Sequence, residues 1–261
     1  MKSHSLFIVI AFISGILMVE NIYAQPVFKA VQPTDYINPF IGTGRIEGAL
    51  RGNNYPGATV PFGLVQLSPD TREAPDWDCP AGYAYEETTI YGFSHTHLSG
   101  TGAADLIDIL LLPSSSESRC ATIDHASELA HPGYYSVRLT DDDILAELTA
   151  TIHTGVHRYI YAEGARQQVY LDLDHSASKG SWGRRIEKAQ LRIVDAHTVE
   201  GYRLITGWAP LRKVCFSIRF SKPITAVHGW TDGREFKGDG ISSLFFNGTD
   251  LKATFTFAGE G

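Results

Sequence analysis

Two histidines, His95 and His97, are separated by a single residue in a short polar segment. On a β-strand, side chains at positions i and i+2 point to the same face, so the two imidazoles could ligate one metal ion, with zinc the natural choice. No third Cys, His or carboxylate stands at a ligand-like spacing, and two ligands do not complete a zinc site. The pattern therefore favours histidines that hydrogen-bond a loop or a strand edge, with sugar contact as an intermediate alternative.

Acidic residues occur in two groups that could serve acid–base chemistry. Asp76 and Asp78 flank Trp77, and Asp105 and Asp108 precede an apolar run. A glycosidase needs two carboxyl groups across the scissile bond, and their separation decides between inversion and retention. Sequence alone does not give that separation, and Asp105 and Asp108 could equally hold loops by accepting backbone N–H groups. No pair stands out as a catalytic dyad.

Aromatic side chains crowd the same polar, Gly-rich region. Trp77, Tyr83, Tyr85 and Tyr91 follow one another closely. Their rings combine an apolar face with a polar edge, which suits the C–H face of a hexose and equally a domain interface or the packing of a long loop. Loop packing accounts for most of them. Trp77, between two carboxylates, is the residue that we expect to contact a sugar.

The composition of the 261-residue chain excludes several other classes of protein. With 22 Lys and Arg against 29 Asp and Glu, the net charge is -7, which does not suit a nucleic-acid-binding protein. The Gly-Thr-Gly turns at 42–44 and 100–102 lack the Lys-Ser/Thr ending of a phosphate-binding loop, so they do not indicate nucleotide binding. Three cysteines are too few for a disulfide framework, although one bridge is possible.

The start of the chain has the features of a secretory signal peptide. Lys2 precedes a mostly apolar stretch over residues 6–19, and Ala24 provides a small residue at the cleavage site. The apolar stretch is shorter than the roughly 20 residues that span a membrane, and an uncleaved anchor or a buried helix are the alternatives. We predict an exported protein, periplasmic or secreted, without membrane attachment after cleavage. The predicted organisation is a signal peptide over 1–24, a short linker over 25–34 and one domain over 35–261.

Hydrophobic alternation with period 2 dominates the second half of the chain and predicts strands with one face in a core. The clearest runs cover residues 146–152, 169–173, 213–220 and 253–257. Turn-forming pairs such as Asp232-Gly233 and Asn247-Gly248 separate such runs. Between residues 35 and 113, Gly, Pro and aromatic residues indicate long loops. The sequence therefore predicts an all-β fold, a large antiparallel β-sandwich with long Gly/Pro/aromatic-rich loops.

Several longer motifs are recognisable as an ordered set. They are YINPFIGTG at 36–44, YPGATVPFG at 55–63, QLSPDT at 66–71, GFSHTHLSGTG at 92–102, HPGYY at 131–135, AELTAT at 146–151, VHRY at 156–159 and LDLDH at 171–175. This series resembles the N-terminal domain of the glycoside hydrolase family 92 α-mannosidases. The resemblance runs from about Asp35 to the C-terminus, and its motifs are too long and too well ordered for chance.

The resemblance implies a specific activity and a two-domain enzyme. It implies an exo-acting, inverting, calcium-dependent α-mannosidase that trims N-glycans or mannans. It also implies an N-terminal β-sandwich and a C-terminal helical (α/α)6 barrel, which supplies the acid, the base and most calcium ligands, so that no catalytic or metal-binding residue is assigned to this chain. By motif position, we expect Trp77 to help form the mannose pocket between the domains, with Asp76, Cys79, His95 and His97 as further substrate-binding residues.

The chain ends at Gly261, before anything that resembles the helical domain. We therefore expect the N-terminal part of an α-mannosidase, inactive in isolation, with the helical domain as its partner and calcium as the cofactor of the assembled enzyme. A stand-alone carbohydrate-binding module without catalysis is the alternative, and a folded remnant with neither activity is a third hypothesis. The face that packs on the helical domain is expected to expose a large apolar patch.

Overall fold

The computed structural model describes residues 31–45, 53–100, 104–177, 185–238 and 244–258. Their regular secondary structure is β-strand, with two short 3-10 helices at Pro33–Tyr36 and His125–Ser127. The prediction of an all-β chain is confirmed. The signal peptide predicted over 1–24 lies outside the described residues, among which no helix is long and apolar enough to cross a bilayer.

Residues up to Asp35 and residues from Tyr36 onward form two separate units, and all the strands belong to the second. The strands are numbered in chain order. They are β1 Ala58–Thr59, β2 Gln66–Asp70, β3 Thr89–Ile90, β4 Gly92–Ser94, β5 Leu110–Ser114, β6 Ala121–Thr122, β7 Leu129–His131, β8 Tyr134–Leu139, β9 Ile144–Ala150, β10 Gly155–Ile160, β11 Gln168–Asp172, β12 Ile186–Asp195, β13 Thr198–Ile205, β14 Arg212–Arg219, β15 Ile224–Thr231, β16 Arg234–Gly238, β17 Phe245–Gly248 and β18 Lys252–Phe257.

Within the described residues, the strands form one eight-stranded sheet, two four-stranded sheets and one two-stranded sheet, with every pairing antiparallel. The large sheet has eight strands in the order β1-β2-β4-β5-β11-β18-β15-β16. The four-stranded sheets have the orders β10-β9-β8-β7 and β14-β13-β12-β17, and β3 pairs with β6 alone. The predicted antiparallel β-sandwich is confirmed, with the eight-stranded sheet as its central layer.

Each face of the central sheet packs on one of the four-stranded sheets. In β5, Leu110 and Leu112 belong to the core shared with β8 and β9, whereas Leu111 belongs to the core shared with β12 and β13. In β11, Tyr170 faces the first core and Leu171 the second. Side chains on a strand alternate between faces, so β5 and β11 contribute to both cores and are buried along their whole length.

Two predicted turns have different outcomes. Asp232 and Gly233, with φ of 48° and 73°, form the two-residue connection between β15 and β16, as predicted. The prediction of a turn at Asn247-Gly248 is wrong, because these residues are the last two of β17. The glycine is needed there for close approach, since a Cβ on Gly248 would lie 1.8 Å from Oγ1 of Thr231.

Candidate functional site

A buried carboxylate, Asp70, stands at the end of β2 with a histidine on each oxygen. Nε2 of His97 lies 2.9 Å from Oδ1, and Nε2 of His175 lies 3.2 Å from Oδ2. Nδ1 of His97 lies 2.7 Å from the carbonyl oxygen of Gln66. A carbonyl oxygen and an ionised carboxylate are both acceptors, so the His97 ring satisfies both contacts when it carries a proton on each nitrogen.

The charge of Asp70 follows from its surroundings. Its side chain is fully buried, and burial by itself raises the pKa of a carboxyl group. The positive charge and the hydrogen bond of His97, together with the nearby imidazole of His175, outweigh burial and lower the pKa of Asp70 below its usual value. The group is therefore an ionised carboxylate held between two imidazoles.

A second buried carboxylate, Asp108, lies between two arginines. Nε of Arg203 is 2.9 Å from Oδ1, and Nη2 of Arg212 is 3.0 Å from Oδ1 and 3.1 Å from Oδ2. Thr96 donates its hydroxyl to Oδ2 at 2.7 Å. Burial opposes ionisation of Asp108, but the charges of Arg203 and Arg212 lower the pKa of Asp108 below its usual value. This ion cluster is fixed because an arginine stays protonated in proteins.

Arg203 also connects the two carboxylates through the backbone. Its side chain is completely buried, and Nη1 donates to the carbonyl oxygens of Leu173 and His175 while Nη2 donates to that of Ile107. The first two bonds hold the segment that carries the His175 ring, which reaches Asp70. One arginine therefore fixes both the Asp108 loop and the residue that completes the Asp70 cluster.

The segment before β5 has an unusual backbone. Leu106, Ile107 and Ile109 have φ of 67°, 62° and 59°, a region that costs bulky residues about 1–3 kcal/mol each. Hydrogen bonds hold it in place, since the N–H of Ile107 donates to the carbonyl oxygen of Thr96 at 2.8 Å and that of His95 donates to the carbonyl oxygen of Asp108 at 2.9 Å. Such strain persists where the surroundings fix it, and it is concentrated at functional sites.

The loop that carries Trp77 packs closely against the side chain of Asp70. The N–H of Cys79 donates to the carbonyl oxygen of Asp76 at 2.8 Å, and the N–H of Gly82 donates to that of Cys79 at 3.0 Å. Gly82 has φ of 84°, and a Cβ there would lie 2.4 Å from Oδ1 of Asp70. The loop thus reaches the carboxylate at a point where only glycine fits. Trp77 and Asp76 on this loop are half-buried.

The Cys79 side chain is a buried neutral thiol. Burial raises the pKa of Cys79 to about 12, despite the nearby charge of Arg72. Cys79, Cys120 and Cys215 are all free, so the disulfide bond that the sequence permits does not form. A thiol of this kind is protonated at neutral pH, so Cys79 offers neither a thiolate nucleophile nor a thiolate metal ligand.

His95 has different partners from His97. Its Nε2 lies 3.0 Å from Nε2 of His157, and its Nδ1 lies 2.6 Å from the carbonyl oxygen of Ile109. Nδ1 of His157 lies in turn 2.7 Å from the hydroxyl of Tyr159. Burial lowers the pKa of both histidines, so two neutral rings link the end of β4 to β10. Both His95 and His97 hydrogen-bond a backbone carbonyl.

The donor set does not fit a metal ion. Among the described residues, no three His, Cys, Asp or Glu side chains lie close enough together to hold one. The buried oxygens of Asp70 and Asp108 already face imidazoles and guanidiniums, and that cationic surrounding repels a divalent cation. The described residues therefore do not form a calcium site.

Sequence reasoning found some of these residues and missed others. The structure brings Cys79 and His97 to the Asp70 cluster and places His95 with His157. Asp70, His175, Arg203 and Arg212 were not predicted as site residues. Arg203 carried a usable signal, because it occupies an inward position of β13 between Gly201 and Ile205, and an arginine on the buried face of a strand requires an anionic partner.

Comparison with known proteins places this geometry in a family. The family model described as "Glycosyl hydrolase family 92 N-terminal domain" matches residues 36–261. The chain therefore belongs to glycosyl hydrolase family 92 and corresponds to its N-terminal domain.

Solved structures agree with this placement, and one curated relative is named a glycosidase. The family GH92 alpha-mannosidase BT3965 from Bacteroides thetaiotaomicron is 35% identical over 87% of this chain, with a TM-score of 0.76. The gh92 family glycosyl hydrolase ccman5 is 27% identical over 86%, with a TM-score of 0.70. An uncharacterized secreted glycosidase of Arthroderma benhamiae is 28% identical over 48% of this chain. The chain spans 31% and 30% of the two solved chains and 17% of the curated relative.

Proposed function

We propose that this chain is the N-terminal part of an α-mannosidase that cleaves α-mannosidic bonds of N-glycans or mannans with inversion. The observation that carries the proposal is the match to the family's N-terminal domain over residues 36–261. BT3965 is an alpha-mannosidase, and its complex with mannoimidazole is matched at 36% identity over 87% of this chain. In the proposal, this chain helps form the mannose pocket and the rest of the enzyme supplies the chemistry.

The proposed sugar contact is the loop around Trp77. An indole face suits the C–H face of mannose, and the carboxylate of Asp76 accepts hydrogen bonds from sugar hydroxyls. A binding loop must be held rigidly by supporting residues. The close packing of Gly82 against Asp70 and the ring of His97 provides that support. Cys79 packs within the loop, and His95 braces the neighbouring strand through His157.

The acid, the base and calcium are proposed to lie in the C-terminal portion of the enzyme. Asp70 and Asp108 are buried and face histidines and arginines respectively, so neither can reach a glycosidic oxygen or a water molecule at the anomeric carbon. The donor set of the described residues does not fit a metal ion. We therefore propose that the chain alone does not hydrolyse mannosides.

Export is the remaining part of the proposal. The basic residue and apolar stretch within residues 1–24 support cleavage and secretion, to the periplasm or outside the cell. The curated relative from Arthroderma benhamiae is named a secreted glycosidase, which supports the same compartment.

Complementation tests the proposed function. The chain is mixed with the C-terminal portion of BT3965, that is, the part which this chain does not cover, and release of mannose from an aryl α-mannoside is measured with calcium present. We expect activity from the mixture and none from this chain alone. Trp77→Ala should lower the activity at least about tenfold, equivalent to about 1.4 kcal/mol, while Tyr202→Ala, a matched aromatic change on the outer face of β13, should leave it unchanged. Mannose binding by the chain alone, lost in Trp77→Ala and without any complementation, would support the binding module instead.

A further inference from the structure

One half of the central sheet has a face that is not covered by a hydrophobic core. On the side of β8 and β9, the core ends at Tyr170 of β11, and no described residue of β15, β16 or β18 belongs to it. Thr254 of β18 lies opposite Tyr170, and His228 of β15 lies opposite Thr254, so all three side chains are on the same face. Thr254 and His228 are half-buried. This face of β18, β15 and β16 is called the open face below.

Arg119, in the connection between β5 and β6, lies across the open face. Its guanidinium carbon is 4.1 Å from the centre of the Tyr170 ring and 4.9 Å from the centre of the Trp230 ring. Nη1 of Arg119 donates to Oγ1 of Thr254 at 2.9 Å. This bond uses one of the five N–H donors of a guanidinium. The two rings therefore hold a planar cation in place on the sheet, with further donors for a ligand.

Trp230 provides the largest ring on the open face. It is half-buried, and the centroid of its ring lies 4.2 Å from that of the His228 ring. The strand register places Lys252 on one side of Trp230 and Glu235 on the other. Nε2 of His228 lies 2.5 Å from Oε1 of Glu235. An aromatic ring surrounded by hydrogen-bonding side chains suits a sugar, because the ring packs on the C–H face and the side chains bond to the hydroxyl groups.

The charges on the open face cancel, which points to a neutral ligand. With histidine neutral, the cations of Arg119, Lys237 and Lys252 balance the carboxylates of Asp172, Asp174 and Glu235. Nζ of Lys252 lies 3.3 Å from Oδ2 of Asp174, and Nζ of Lys237 lies 3.1 Å from Oε1 of Glu235. Nucleic acids require an excess of positive charge, and the centre of a protein–protein interface is depleted of charged residues. A neutral ligand with many hydroxyl groups fits both the rings and the charges.

The end of β11 connects the open face to the proposed sugar loop. Oδ1 of Asp172 accepts the N–H of His175 at 3.0 Å. The ring of His175 reaches Asp70, against which Gly82 of the Trp77 loop packs. A long glycan held on the open face therefore stays close to the Trp77 loop.

We propose that the open face is a second carbohydrate-binding site, which holds a neutral glycan at a distance from the reacting bond. Trp230 stacks on one sugar, while Arg119 donates to its hydroxyl oxygens and Glu235 accepts from its hydroxyl groups. A second contact on the same polymer raises the effective concentration of its ends at the first site. That the glycan carries mannose rests on the proposed function, whereas the location of the second site rests on Trp230 and Arg119.

Binding to polymeric α-mannan tests the second site without any need for catalysis. The affinity of the full chain is measured by isothermal titration calorimetry, with a soluble linear β-glucan as the second probe. We expect α-mannan to bind, with the affinity lowered at least tenfold by Trp230→Ala and by Arg119→Lys. The lysine keeps the charge but not the planar group between the two rings. Trp208→Ala, a matched change of a tryptophan that is 70% exposed between β13 and β14, should leave the affinity unchanged.

Each outcome decides the proposal. If Trp230→Ala lowers the thermal midpoint of the chain, Arg119→Lys decides it, because that change leaves every strand residue in place. No binding of either polymer, or an equal loss in Trp208→Ala, overturns it. Binding that is lost in Trp77→Ala and kept in Trp230→Ala also overturns it. Preferential binding of the β-glucan that is lost in Trp230→Ala, or α-mannan binding without complementation, leaves the second site in place and contradicts the proposed function.

Discussion

The two buried carboxylates differ in the cations that surround them. Asp108 faces Arg203 and Arg212, whose guanidiniums remain charged at every pH the protein meets. Asp70 faces His97 and His175, whose charge depends on protonation. Both pKa values are lowered, although the causes differ. The comparison shows that the Asp108 cluster is held by permanent charges, whereas the Asp70 cluster is held by side chains of a residue type that can lose its charge.

Removal of Arg203 should have the largest effect. Arg203→Met leaves Asp108 buried with one arginine fewer and three backbone carbonyls without their donor, so we expect a loss of about 3–5 kcal/mol in the free energy of unfolding. Urea denaturation measures it. Arg192→Met, which breaks the exposed pair with Glu200, is the matched control and should cost less than about 1 kcal/mol. Similar losses in the two variants would mean that the buried Asp108 cluster stabilises the fold no more than an exposed ion pair does.

Asp70→Asn should cause the second largest loss in the free energy of unfolding. The amide keeps the shape but replaces the carboxylate that faces both imidazoles, so we expect a loss of about 2–3 kcal/mol in the free energy of unfolding. Asp78→Asn, on the exposed side of the same loop, is the control. If the Asp70 cluster supports the Trp77 loop, the tryptophan fluorescence of the folded protein also changes in Asp70→Asn and not in Asp78→Asn. A change in both would mean that the Asp70 cluster has no particular part in supporting the loop.

Gly82→Ala should have a smaller effect at the same place. The added Cβ meets Oδ1 of Asp70 at 2.4 Å on a backbone with positive φ, which should cost about 1–3 kcal/mol. Gly164→Ala is a matched control, because Gly164 has φ of 74° and nothing within 4 Å of a Cβ. The difference between the two variants isolates the contact with Asp70 from the backbone conformation. Equal losses would show that the loop is not seated on that carboxylate.

The smallest effect concerns pH and the neutral pair His95 and His157. Their pKa values are lowered in the folded chain, so the unfolded chain binds protons below about pH 6.5 that the folded chain does not. Stability should therefore fall on acidification below that pH, by at most about 1.4 kcal/mol per pH unit for each histidine. His157→Gln should reduce this slope, measured by urea denaturation between pH 7 and 5. An unchanged slope would mean that other groups carry the dependence.

A second pH window belongs to the carboxylates. Asp70 and Asp108 have lowered pKa values in the folded chain, so their contribution is complete above the unfolded value near pH 4 and disappears as the pH falls towards their folded values. Asp70→Asn should remove part of this acid-induced loss. The two windows separate the histidine pair from the carboxylate clusters in one titration.

Much of the fold could be predicted from local patterns. Alternation along residues 213–220 and 253–257 follows directly from one buried face, and β14 and β18 appear there. The turn at Asp232-Gly233 follows from residue type. The turn proposed at Asn247-Gly248 failed because the same pair also serves close packing, and only the position of Thr231 reveals which use applies.

The residues of the site were harder to predict from the sequence, because the residues that meet there are far apart along the chain. His175 meets Asp70, and Arg203 meets Asp108, across about a hundred residues, so no local spacing signals either pair. The positive φ of Ile107 contradicts the preference of a β-branched residue and depends on bonds made from elsewhere. Trp77 was singled out from its neighbours alone, and its contact with mannose stays a prediction.

The position of β18 in the central sheet has a consequence for the order of folding. This strand, Lys252–Phe257, is the last described strand along the chain, yet it lies inside the sheet between β11 and β15. The hairpin of β15 and β16 has no place in the central sheet until residues 252–257 are in position. The second core therefore closes late in folding, and β11 exposes an apolar edge until then.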